Sequence, residues 1–242
     1  MTEKLPFQAS RDSQQVISFD AVELIAKGFI MDKIDGLGSR WPPDEEAEAE
    51  SGNQIVQPLH NLNPCKDEAG FRDALWRTLV LNRDGASDVA PDCYAGLLDV
   101  PWPGDDDEPS SLFLMEYHVM RIVNRDLRIG DREFEKCFPV GTAMDVVMAG
   151  MKDCLDPFHR IFTTGYGRRL LITAQEFIGM ARNEAQQGDI VCILLGCGIP
   201  VILRPSADHL SYKLVGESYI QDVMDGEAME GLKGGNISCK IL

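Results

Sequence analysis

Apolar and polar residues alternate through VISFDAVELIAKGFIMDKI at 16–34. Leu24, Ala26, Phe29, Met31 and Ile34 share one face if a bulge sits at Gly28, which predicts strands over about 16–20 and 22–34. The period then changes. In KDEAGFRDALWRTLVLN (66–82), Phe71, Leu75 and Leu79 recur at helical spacing, with acids in the first turn. SLFLMEYHVMRIVNRDL (111–127) and REFEKCF (132–138) are helical in composition. TAMDVVMAGMKDCL (142–155) places Met144, Val147, Met148 and Met151 on one side, a stripe that reads as core filling. Residues 66–155 are therefore expected to be the helical part.

From about residue 160 short apolar runs return. RRLLITAQEFIGMA reads as a hairpin turning at Ala-Gln-Glu, and GDIVCILLGCGIPVILRP supplies strands at 189–195 and 200–204. HLSYKLVGESYI alternates Leu210, Tyr212 and Leu214 against Ser211, Lys213 and Val215. NISCKIL makes a last strand. Five or more short antiparallel strands in about 75 residues favour a small barrel over 160–242. GDIVCILLG is too evenly apolar for one wet face, so it should be central, covered by the barrel interior on one side and by helices on the other. The fold class is α+β: a small antiparallel β-barrel, mostly C-terminal, completed by the N-terminal strands and packed on a helical middle segment. Residues 1–242 then form a single domain, with solvated acidic, Pro-rich loops at 42–54 and 103–110.

Composition narrows the partners. The 242 residues are 44% hydrophobic, enough for a substantial core, and carry a net charge of −16. Such a field repels nucleic acid and anionic membrane surfaces. No apolar run reaches the roughly 20 residues of a membrane helix. The seven cysteines show neither CxxC nor zinc spacing, and MTEKLPFQAS has no apolar signal core. These features predict reduced thiols in a cytoplasmic protein.

Familiar catalytic motifs are missing. There is no GxSxG, and GESYI lacks the second glycine. His60, His118, His159 and His209 lie far apart, without HxH or HxxxH, so no metal site is expected. KGGN and DGLGS are turns rather than phosphate loops, so no cofactor is expected. Asp222, Asp225, Glu227 and Glu230 read as a helix cap and solvated carboxylates.

The segments KGFIMDKI (27–34), LWRTLVLNRD (75–84), GRRLLITAQEFIGMARNEAQQGDIVCILLGCGIPVILRP (167–205) and YKLVGESYIQDVMDGEAM (212–229) are present in that order. They resemble the C-terminal region of fungal heterokaryon-incompatibility (HET) proteins. The resemblance implies a fungal protein. Because KGFIMDKI begins by residue 27, it also implies a chain without the N-terminal HET domain. Stand-alone proteins of this kind occur in fungal biosynthetic clusters, some associated with Diels–Alder-type cyclisation.

A polar and aromatic set goes with the barrel. Arg77, Tyr166, Arg169, Arg204 and Tyr219 are the candidate catalytic donors, and Trp76, Tyr212 and His209 the candidate substrate walls. The structural alternative for Arg204 is a buried pair with Glu217 or Asp225. A cycloaddition needs two π systems held together and a donor on the electron-poor carbonyl, but no nucleophile or redox centre. The leading expectation is a cofactor-independent cyclase or pericyclase acting on a small apolar polyketide or terpenoid. A non-catalytic ligand- or partner-sensing module is the alternative, and a histidine-based hydrolase or isomerase a third. A homo-oligomer is compatible with each.

Overall fold

A computed structural model describes residues 7–10, 17–20, 23–42, 55–60, 67–102, 112–140, 156–207, 211–227 and 237–241. Two strands open it, Ile17–Asp20 (β1) and the long Glu23–Leu37 (β2). Helices Glu68–Leu79 (α1) and Leu112–Asn124 (α2) follow, then the two-residue strands Arg128–Ile129 (β3) and Arg132–Glu133 (β4), and helix Asp156–Gly165 (α3). The tail is all strand: Arg168–Thr173 (β5), Ile178–Arg182 (β6), Ile190–Leu194 (β7), Val201–Pro205 (β8), Tyr212–Ile220 (β9) and Ile237–Ile241 (β10).

Six of these strands close on themselves in the order β2-β5-β6-β9-β8-β7, with β7 returning to β2, every pair antiparallel. The expected α+β barrel is present, and the N-terminal strand closes it. β2 reaches Leu37, three residues past its predicted end, because Ile34–Leu37 pairs with β5. Its bends are not at Gly28. The register shifts between Ile30 and Asp32 against β7, and between Ile34 and Gly36 against β5. Gly28 is instead a close-approach site, where a Cβ would sit 2.4 Å from the Ile193 carbonyl oxygen. The first half of β2 pairs with β1 and β10, and β10 also touches the start of β9 in parallel fashion.

The barrel interior is filled. Phe29, Ile34, Leu171, Val191, Ile193, Ile202 and Ile220 pack there as one buried cluster. Outward residues of β5, β6 and β9 (Leu170, Ile172, Ile178, Met180 and Tyr219) join the core of the helices. α1 forms because Asp67 caps it, accepting from the Gly70 N–H at 2.8 Å, and because Phe71, Leu75 and Leu79 line one buried face. Each such buried side chain contributes about 1.5–3 kcal/mol.

β7 is buried on both faces, as its even apolarity predicts. Its outer cover differs from expectation. Ile190, Cys192 and Leu194 pack against Ala26 of β2 and Leu203 of β8, with Tyr212 alongside, a small second core made by strands and not by helices. The helices occupy the opposite flank. REFEKCF is helical only in part, since Arg132–Glu133 is strand and Phe134–Cys137 a short 3₁₀ helix. The turn at Gly130, with φ +63°, folds β3 back on β4, and a 3₁₀ turn at Phe134–Cys137 follows. In β9, Val215 is an extra residue between the pairs Leu203–Leu214 and Ile202–Gly216. The predicted alternation therefore flips there: Leu214 is 46% exposed, while Val215 leans on the barrel core. Cys93 is disulfide-bonded, against the expectation of reduced thiols, whereas Cys137 and Cys197 are free thiols. No helix among the described residues is long and apolar enough to cross a membrane. The loop at 103–110, most of the 42–54 loop and the 142–155 helix fall outside the described residues.

Candidate functional site

The five candidate donors do not share one wall. Arg77, at the end of α1, lies over the ring of Trp76 at 4.2 Å, and Trp76 itself is buried. Its Nε donates to Asp73 at 2.8 Å, Nη1 to Asn82 at 2.9 Å and Nη2 to Asp92 at 3.2 Å. Desolvation lowers its pKa, but Asp73 and Asp92 more than compensate, so the guanidinium is held more firmly charged than usual. Tyr219 is buried near the end of β9, where its hydroxyl donates a short hydrogen bond to Gln221 Oε1. Burial, then the charge of Asp222, push its phenol up, while Arg83 and Arg77 act the other way. Arg77 and Tyr219 are thus within electrostatic range of each other.

The other three stand elsewhere. Arg169 is buried, with Nε on the Gly38 carbonyl at 2.8 Å and Nη1 on that of Ala185 at 3.4 Å. Burial, then Arg40, pull its pKa down to about 10. Arg204 pairs with Asp189, not with Glu217 or Asp225. Glu217 is taken by Arg168 at 2.9 Å, and Asp225 lies 3.8 Å from Arg83. Tyr166 is 63% exposed in the turn after α3. Tyr212 packs in the second core, and His209 lies outside the described residues.

Two openings border these groups. A crevice between barrel and helices, lined by Trp41, Met120, Arg168, Arg169 and neighbours, has a volume of about 20 Å³. That is room for about one water. An open groove of about 180 Å³ lies where α1 meets the β5–β6 turn and the turn after β9. Ala74, Phe177 and Ile178 give it apolar walls. Gln175, Glu176, Gln221 and Asp222 give it a polar rim.

The backbone of that rim is unusual. Glu176 has φ +81° and Asp222 φ +64°, left-handed conformations that non-glycine residues seldom adopt. Each is locked locally. The Glu176 and Phe177 N–H groups donate to the Thr173 carbonyl and Oγ1, both at 3.0 Å. Gln221 N–H donates to the Ile178 carbonyl at 3.0 Å, and its side-chain amide donates to Asp222 Oδ1 at 2.9 Å. The sequence places the Ala-Gln-Glu turn, but polar residues at a hairpin tip are too common to mark a site. The left-handed φ carries no sequence signal at Glu176, whereas Asp is among the residues that tolerate it.

A histidine–carboxylate pair exists on the surface. His60 Nδ1 lies 3.1 Å from Asp35 Oδ2, which also accepts from the His60 N–H at 2.9 Å. The His60 side chain is 59% exposed. The pair pins residues 55–60 to the end of β2, alongside the Leu37–Val56 bridge. Among the described residues, no group of three or more His, Cys, Asp or Glu gathers to hold a metal.

Against known proteins, the barrel is the part that answers. Residues 142–233 match the Het-6 beta-barrel domain. The chain is also similar to heterokaryon incompatibility protein 6, OR allele, of Neurospora crassa, 35% identical over 79 residues. That alignment covers 28% of this chain and 12% of the relative, so the chain spans a small fraction of the protein it matches. No solved structure matches. The two likenesses support a HET-related fungal protein.

Proposed function

We propose that this chain is a non-catalytic recognition module of the incompatibility-protein kind, binding a partner protein at the groove between α1, the β5–β6 turn and the turn after β9. The observation that carries this reading is the filled barrel together with its committed arginines. Arg77, Arg169 and Arg204 each hold the fold's own carboxylates or carbonyls. A cyclase for an apolar polyketide or terpenoid needs a hollow of roughly 300–1,000 Å³. The crevice beside Arg168 and Arg169 is far smaller, and the groove is open, with a polar rim. The groove suits one inserted side chain, and the Glu176 and Asp222 carboxylates at its rim select a cationic one.

The test is a photo-crosslinking residue at position 175 of the full chain, exposed to a fungal extract. A discrete protein adduct that disappears in Glu176→Lys/Asp222→Lys, with the melting temperature retained, supports the module. Cofactor-free conversion of a polyene substrate by the purified chain, or no adduct at all, overturns it.

A further inference from the structure

Arg121 of α2 is 0% exposed, the largest fully buried side chain among the described residues. Among the described residues, no hydrogen-bond acceptor lies within reach of its Nε, Nη1 or Nη2. Its guanidinium is boxed by rings instead: Phe138 at 4.1 Å, Trp102 at 4.9 Å and Tyr117 at 5.1 Å from the guanidinium carbon. Three aromatic faces attract a cation, but they leave its in-plane N–H edges without acceptors.

Shortage of carboxylates does not explain this. The chain has 39 Asp and Glu against 23 Lys and Arg. Other buried or half-buried arginines find acceptors, Arg83 on the Asn82 carbonyl at 2.8 Å and Arg160 on the Arg83 carbonyl at 3.0 Å. Two polar groups near the box are committed elsewhere. The Tyr117 hydroxyl donates to the Leu97 carbonyl at 2.7 Å, and Asp99 is held by Arg72 at 2.7 Å. A buried charge without a counter-charge is among the costliest arrangements a fold can carry.

We propose that Arg121 is the anion-recognising group of a second, closed ligand site, whose ligand is a small aromatic carboxylic acid. The stacked guanidinium offers a planar pair of N–H groups, which a carboxylate accepts in two-pronged fashion. The ring-lined box suits an aromatic body better than a hydrated phosphate. Trp102 is half-buried where the other walls are buried, so it is the wall that borders solvent. This site stands independently of the partner groove.

The test uses the full chain titrated with sodium benzoate, phenylacetate and acetate at constant ionic strength. The wild-type melting temperature should rise saturably with benzoate or phenylacetate, by about 4–10 °C at a hundredfold excess over Kd, and less with acetate. Arg121→Met should melt at or above the ligand-free wild type and respond to none of them. If that variant does not fold, the benzoate-dependent change in tryptophan emission, present in wild type and lost in Trp102→Phe, decides the matter. No response to any of the three carboxylates overturns the proposal. So does an Arg121→Met that binds benzoate like the wild type, or one that folds but melts well below it, as expected of an arginine kept for packing and hydration alone.

Discussion

Arg204 holds Asp189 through two parallel hydrogen bonds, Nε to Oδ1 at 2.8 Å and Nη2 to Oδ2 at 2.9 Å, across the mouth of the β7–β8 hairpin. Nη2 also donates to the Glu184 carbonyl at 2.8 Å, and Asp189 Oδ2 accepts from the Gln186 N–H at 2.9 Å. One ion pair thus ties the end of β8 to the turn that feeds β7. The Asp189 side chain is 3% exposed. Arg204→Ala strands that buried carboxylate, and a loss of about 2–4 kcal/mol is expected. Thermal melting checks it: a drop of about 4–16 °C is predicted. A drop below 1 °C would mean that the pair is not a closure of the hairpin.

The short bond from Tyr219 to Gln221 separates the structural from the catalytic role of Tyr219. Tyr219→Phe leaves the buried Gln221 oxygen without its donor, at a cost of about 1–2 kcal/mol. Urea denaturation should show that loss with an unchanged m-value. Adduct formation in the groove should fall only modestly, since Gln221 keeps its hold on Asp222. Complete loss of a chemical turnover in this one variant would instead restore Tyr219 as a proton donor.

Much of the barrel was legible because its signals are local and repeated. The even apolarity of Ile190–Leu194 required two covers, and two are present. Of the outer cover, Leu203 comes from the neighbouring strand of the β7–β8 hairpin, but Ala26 was not legible, since β2 reaches β7 only through a pairing set far away in sequence. The Gly28 bulge was misplaced for a related reason. A glycine in a strand signals either a bulge or a close approach, and here the Ile193 carbonyl decides for the latter. At the site, the sequence names candidate donors but does not say what each one holds. Arg204 has carboxylates on several sides of the chain, and only the hairpin geometry selects Asp189 over Glu217.

The free thiol of Cys137 gives the fold an alkaline limit. Burial pushes it up to about 12 from an ordinary 9, against a smaller downward pull from Arg132. A group whose folded pKa is raised contributes stability that is intact below its unfolded pKa and lost as pH rises through the folded one. Stability should therefore begin to fall near pH 9 and decline towards pH 12. Tyr94, Tyr117 and Tyr219, all raised first by burial, steepen the loss above pH 10. Arg169, lowered to about 10, partly opposes them between pH 10 and 12.5. Urea midpoints across pH 7–11 check the sign, and in Cys137→Ala the decline between pH 9 and 10 should be shallower. Iodoacetamide at pH 8 should label Cys137 only on unfolding.

The left-handed backbone at Glu176 makes a prediction of opposite sign to ordinary loop substitutions. Glu176→Gly removes the Cβ strain at φ +81° while adding freedom to the unfolded chain, so the net change is about 0–1 kcal/mol of stabilisation. Glu176→Ala keeps the strain and gains nothing. Val and other β-branched residues should be destabilising by more than 1 kcal/mol. If the rim carboxylate serves recognition, Glu176→Gly will be at least as stable as the wild type in urea yet form less adduct in the groove. Stability and binding moving in opposite directions is the mark of strain retained for function. A glycine variant that loses stability, or binds as well as wild type, would assign Glu176 to the turn alone.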